Sequence, residues 1–214
     1  MDKSNIAKRR AVAKLDIDSD YVARRNELIA IAATLFREKG YAATRPADIA
    51  ERAGIDRASL YYYIGGKEEM FREALGDIVE ADIGVAYEIF NDTQSLPSER
   101  LARIVALLMR GFATSFPQMY VYIQERMHLI AKDSSPWGRK MQKVTRDYEH
   151  IVVSLMKDGI ACGEFRQDLD PVLASNALFG MVHWTHRWFT PTGRYHHEEV
   201  SREFIRIFLH GASA

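Results

Sequence analysis

The residues best suited to chemistry lie close together. In the segment DRASLYYYIGGK, residues 56–67, Leu60 and Ile64 recur four apart and would face inward on a helix. Arg57, Ala58, Ser59, Tyr61 and Tyr62 then fall on or near its outer side. That side offers a planar fork of donors, a small residue that permits close backbone approach, a hydroxyl and two phenols. Such a set suits a nucleic-acid duplex. Arginine can bond guanine in bidentate fashion, serine can reach a base edge or a phosphate, and tyrosine hydroxyls suit phosphate oxygens. Lys67 opens the following helix and adds a cation where a helix N-terminus already favours an anion. Asp56 is read as the cap of the helix, because phosphate would repel it. The competing reading makes Tyr61, Tyr62 and Tyr63 half-buried packing residues.

The elements that must position this set are helices. From Asp20 onward Leu28, Ala32, Leu35 and Phe36 recur at helical spacing, and Gly40 ends that helix. Thr44 is the expected cap of a short second helix with Pro46 in its first turn, and Thr44 and Arg45 join the candidate nucleic-acid contacts. Gly54 ends the second helix, Asp56 starts the third, and Gly65-Gly66 separates it from a longer fourth. Two short helices joined across Ala53-Gly54-Ile55 have the proportions of a helix-turn-helix, whose second helix enters the major groove. Further helices are expected at 97–115, 117–131, 135–162, 170–189 and 196–210. Pro97, Pro117, Ser135-Pro136 and Asp170-Pro171 mark starts. No stretch alternates apolar and polar residues over a strand length, so the fold class expected is all-α.

The charge balance supports the same division. The chain carries 29 Lys or Arg against 29 Asp or Glu, but residues 1–67 hold 13 basic and 9 acidic residues, a balance of +4. The remainder balances this at −4. Lys3, Lys8, Arg9, Arg10 and Lys14 make residues 1–19 a basic N-terminal arm, which could track phosphates or simply be a solvated tail. One cysteine excludes an internal disulfide framework, and no window approaches about 18 uninterrupted apolar residues. The expectation is a cytoplasmic protein with no membrane partner.

Enzyme constellations are weak. His183 and His186 lie three apart, but no Cys or carboxylate stands at a matching spacing, and Trp184 and Trp188 beside them favour packing. Cys162 has no evident base nearby. No glycine loop with lysine, and no Ser-His-Asp or Cys-His arrangement, is present. No catalytic residue, metal or cofactor is therefore expected.

The run LIAIAATLFREKGYAATRPADIAERAGIDRASLYYYIGGKEEMF, residues 28–71, resembles the N-terminal domain of TetR-type transcriptional regulators in register along nearly its whole length. Ala58 stands where that family usually has glycine, Ile64 where it has phenylalanine, and Tyr63 where histidine is frequent. The resemblance implies a three-helix DNA-binding domain at 20–67 and a larger helical effector-binding and dimerisation domain at 68–214. It implies a homodimer on a palindromic operator in double-stranded DNA, most simply a repressor released by a ligand. The last two helices would pair with the partner's, through Leu178, Met181, Val182 and Trp188 on one and Phe204, Ile205 and Phe208 on the other. An ordinary intrachain core would use the same residues.

An effector pocket is expected among Leu108, Phe112, Ile123, Met127, Val152 and Met156, with Tyr148 and His183 as polar groups, although any one such apolar residue is more often plain core. The stretch GEFRQDLDPVLASNALFGMVHWTHRWFTPTG is similar to a subgroup controlling fatty-acid, steroid or aromatic-acid breakdown, often through acyl-CoA thioesters. That similarity implies a bulky, partly apolar, anionic effector, with Arg103, Arg110, Arg126, Arg139 or Lys140 near the mouth. The alternatives are a multidrug-sensing repressor of an efflux pump, or a helical ligand-binding protein or enzyme with a merely structural N-terminal domain.

Overall fold

The computed structural model describes residues 3–116, 119, 122–123 and 132–212, and among them there are helices and no strand. In chain order they are α1 (Lys3–Lys39), α2 (Pro46–Arg52), α3 (Arg57–Tyr63), α4 (Lys67–Asn91), α5 (Pro97–Thr114), α6 (Pro136–Cys162), α7 (Pro171–Trp184), a short 3-10 turn (Thr185–Arg187) and α8 (His197–Ala212). The expected 117–131 helix lies mostly outside the described residues. Helix α1 begins at Lys3 rather than near Asp20, because residues 3–19 contain no glycine or proline to stop it. The side chains of Lys3, Lys8, Arg9, Arg10 and Lys14 lie outside the description.

The chain forms two compact units, Met1–Ala74 and Leu75–Ala214. The first is built on α1, whose Leu28, Ala32, Leu35 and Phe36 are buried together with Ile49 of α2 and Leu60 of α3. It extends past Lys67 because Met70 and Phe71, on the first turn of α4, are buried in it as well. The Phe71 ring lies 4.9 Å from Tyr41 and 6.1 Å from Phe36. Such aromatic contacts add to the area they bury.

The second unit has its own core, made by Leu101, Ile104, Val105, Met109 and Phe112 of α5, Ile151, Val152, Leu155 and Met156 of α6, and Leu178 and Val182 of α7. Ser135 caps α6 by accepting from the Gly138 amide, and Asp170 caps α7 by accepting from the amides of Val172 and Leu173. The start of α5 is held from outside its own segment. Glu164 accepts from the Ser98 amide at 3.0 Å and its hydroxyl at 2.9 Å.

Gly159 of α6 sits flat against the ring of the buried Phe165, and a Cβ there would overlap that ring. Alanine gains about 1 kcal/mol over glycine in a helix, but overpacking a fixed aromatic costs about 1–3 kcal/mol. Gly159→Ala is therefore expected to lower the melting temperature by a few degrees. Phe165→Leu in the same chain should relieve part of the loss, as read by thermal circular dichroism.

Candidate nucleic-acid interface and internal cavity

The residue that caps helix α2 is Arg45, not Thr44. The Arg45 amide donates to the Asp48 carboxylate at 2.7 Å, which holds that carboxyl below its usual range. Gly54, with φ +66°, takes the left-handed conformation that lets the chain leave α2, and the Ile55 amide closes the turn on the Ala50 carbonyl at 3.0 Å. Asp56 then caps α3. It accepts from the Ser59 amide at 2.8 Å and the Ser59 hydroxyl at 2.9 Å, bonds that hold the Asp56 carboxyl low.

With Leu60 and Ile64 turned inward, α3 presents Arg57, Ala58, Tyr61 and Tyr62 to solvent, and Tyr62 is 72% exposed. The Arg57 guanidinium lies 5.6 Å from the centre of the Tyr61 ring and donates to its hydroxyl at 3.4 Å. Stacking of this kind orients the planar fork before any ligand arrives. Tyr62 rests edge-on against Tyr21 of α1 at 5.8 Å. Tyr63 is half-buried, 5.2 Å from the same ring, and its carbonyl accepts from the Tyr21 hydroxyl.

The nine expected contact residues thus separate into two groups. Arg45, Arg57, Ala58, Tyr61 and Tyr62 are on the surface. Thr44 is fully buried, and its hydroxyl donates to the carbonyls of Gly40 at 2.8 Å and Leu35 at 3.2 Å. Its side chain ties down the end of α1 and does not reach outward. The Ser59 proton is engaged by Asp56, and Tyr63 packs. Lys67 donates to the Tyr41 carbonyl at 2.8 Å with its ammonium 4.2 Å from the Tyr41 ring centre, so it pins the turn after α1.

Several cations counted as DNA-facing are used internally. Arg24 donates to the Ala53 carbonyl at 2.8 Å and pairs with Glu27 at 2.6 Å. Arg25 forks between Glu69, at 2.9 Å, and Glu73, and the Glu73 bond foremost raises its pKa. Arg52 pairs with Glu38 at 3.0 Å and Lys39 with Asp48 at 3.6 Å. Apart from the Arg24–Glu27 pair, these contacts were legible only as charge, because their partners lie 9 to 48 residues away in sequence.

The second unit contains a partly open cavity of about 250 Å³ lined by α4, α5, α6 and α7. Of the expected lining residues, Leu108, Phe112, Ile123, Tyr148 and His183 line it. Val152 and Met156 do not: both are fully buried in the core, one and two turns beyond Tyr148 along the same face of α6. Met127 lies outside the described residues. The lining also includes Asp82, Thr145, Glu149, Asn176 and Phe179, which apolar periodicity could not reveal because all but Phe179 are polar. No Lys or Arg is among the described lining residues. Of the expected mouth cations, Arg103 pairs with Asp92 at 2.6 Å, Lys140 with Glu80 at 2.6 Å and Arg139 with the Ser134 carbonyl, while Arg110 meets the cavity-lining Asp82 at 3.5 Å. Arg126 lies outside the described residues.

Residues 28–74 match the family model described as bacterial regulatory proteins, tetR family, and residues 94–212 match the tetracyclin repressor-like C-terminal domain. The chain belongs to the TetR family. The repressor KstR2 of Mycolicibacterium smegmatis is 30% identical over 92% of this chain and 94% of its own. The structure of the ketosteroid transcriptional regulator KstR2 of Mycobacterium tuberculosis matches with a TM-score of 0.77 at 29% identity, over 89% of this chain and 95% of that one. AibR, solved with isovaleryl coenzyme A and operator DNA, shares the fold with a TM-score of 0.65 at 21% identity, over 86% of this chain and 97% of that one. As a TetR-family protein the chain is a ligand-responsive, DNA-binding transcriptional repressor. No helix among the described residues is long and apolar enough to cross a membrane.

In a TetR protein the last two helices are the place to look for a partner surface. Leu178 and Val182 face the intrachain core and are 1% and 0% exposed, so neither is free for a partner. Met181, Phe204, Ile205 and Phe208 are half-buried and Trp188 is 45% exposed. The open face of α7 is instead Leu173, Ala177, Gly180 and Trp184, spaced as one helical stripe, with Leu173 68% and Trp184 59% exposed.

His183 offers a direct probe of the cavity wall. It stacks on Phe179 at 5.7 Å, and burial foremost, with His186 beside it, lowers its pKa from 6.5 to about 4. The folded state resists a proton that the unfolded chain accepts. Stability should therefore be full above pH 6.5 and fall as pH drops towards about 4. The loss is of order 2–3 kcal/mol. Denaturant melts at several pH values should show that His183→Gln lacks this component.

Proposed function

We propose that the protein is a homodimeric repressor that holds a palindromic operator through α3 and releases it when an acyl thioester occupies the cavity. It works in the cytoplasm, where its operator is, and performs no chemistry of its own. The observation that carries the DNA-binding part is the outer face of α3, where Arg57 is held over Tyr61 beside an exposed Tyr62 and a small Ala58. Arg57 reads a guanine edge, while Arg45, at the start of α2, and the tyrosine hydroxyls bond phosphates. Thr44, Ser59, Tyr63 and Lys67 act by positioning that face.

The dimer reading rests on the exposed stripe of α7. A run of large and small apolar residues fits an isologous interface, where the same face of each copy meets the other. The effector class is supported by the apolar cavity and by the coenzyme A ester bound in a protein of this fold. A thioester brings an uncharged acyl group into a cavity lined by Asp82 and Glu149, where a free carboxylate would be repelled.

Fluorescence anisotropy on DNA from upstream of the gene should show specific binding to a palindrome. Arg57→Ala should weaken it by about 1–3 kcal/mol and relax preference at one base position in each half-site. Unchanged affinity and specificity in that variant would remove α3 as the reading helix. Leu173→Glu should give a monomer in sedimentation analysis, with operator binding lost; a dimer of undiminished affinity would place the interface elsewhere.

A further inference from the structure

The cavity wall holds a polar pair that the proposed function does not yet use. Asp82 of α4 is largely buried, and among the described residues its one ion-pair partner is Arg110, 3.5 Å from Oδ1. Burial foremost pushes its carboxyl above the ordinary range. The other oxygen, Oδ2, faces Gly111 of α5, where a Cβ would come within 3.0 Å of it. A residue with no side chain keeps that oxygen uncovered. Tyr148 of α6 also lines the cavity. Its hydroxyl has no hydrogen-bond partner among the described residues, and burial with the nearby Asp82 charge raises its pKa, so the phenol keeps its proton. Among the described residues the wall thus presents one donor and one acceptor without a partner of their own, in a space shared with the apolar Leu108, Phe112 and Phe179.

Resting on the reading that this cavity receives the effector, we propose that it selects a ligand carrying a hydroxyl group on an apolar body, the hydroxyl accepting from Tyr148 and donating to Asp82. A hydroxyl is the small group that does both at once. A ketone satisfies Tyr148 alone and leaves the carboxylate desolvated without a donor. A hydrocarbon satisfies neither, and a carboxylate is repelled by Asp82.

The test is release of operator DNA from the full-length protein by a matched pair, cyclohexanecarbonyl-CoA and its ring-hydroxylated analogue. The hydroxylated thioester should act at about tenfold lower concentration. Tyr148→Phe and Asp82→Asn should each reduce that preference, read within each variant as the ratio of the two thioesters' effective concentrations, to about twofold or less. Equal potency of the pair on the native protein, or a preference that survives both substitutions, overturns the proposal. If neither thioester releases DNA, the thioester reading falls separately. The selection is then decided by calorimetry with decahydronaphthol and the corresponding decalone, where tighter binding of the alcohol supports it and equal binding overturns it.

Discussion

Two adjacent arginines on α1 organise the DNA-binding unit. Arg24 reaches the carbonyl of Ala53, inside the turn between α2 and α3, and Arg25 is shared by Glu69 and Glu73, one helical turn apart on α4. A short helix cannot hold its own orientation, since two turns form too few internal bonds to offset the cost of nucleation. Its angle must be set from outside. Arg24 supplies a charged donor to the turn, Lys67 supplies another to the end of α1, and Leu60 and Ile64 supply the apolar anchor. The exposed face of α3 points where these contacts aim it.

This use of charge changes what the neutral total means. A balance of +4 in residues 1–67 suggests a surface broadly attractive to DNA. Among the described residues from Ser19 to Lys67, however, Arg24, Arg25, Lys39 and Arg52 are in ion pairs and Lys67 is held by a carbonyl. Arg45 and Arg57 are in no ion pair there, and they stand at the starts of the two helices of the motif. A few placed cations therefore do what the bulk count suggested many would do, which suits a protein that must read sequence and not merely adhere.

The helix pattern was readable because glycine, proline and cap residues mark nearly every boundary. Pro97, Pro136 and Pro171 each stand at the first position of a helix, and Asp56 caps α3 as its type suggests. The site was less readable where a residue's role depends on a partner distant in sequence. Thr44 has the type and place of a cap, yet its hydroxyl belongs to carbonyls at the end of α1. Leu178 and Val182 have the apolar character of an interface, yet periodicity gives the face of a helix and not what lies against it. The inward face of α7 meets the core and the cavity, and the less obvious stripe of Leu173, Gly180 and Trp184 is the open one. Val152 and Met156 mislead in the same way, since core and cavity residues share one composition.

The central claim is that the cations of this domain divide into those that build the reading face and those that touch DNA. The dependence of operator affinity on salt separates them, because each phosphate contact released changes the logarithmic slope by roughly one. Arg25→Gln is expected to lower the unfolding midpoint while leaving the slope of the folded protein unchanged, whereas Arg45→Gln should lower the slope with little effect on stability. A slope that falls as far for Arg25→Gln as for Arg45→Gln would contradict the account.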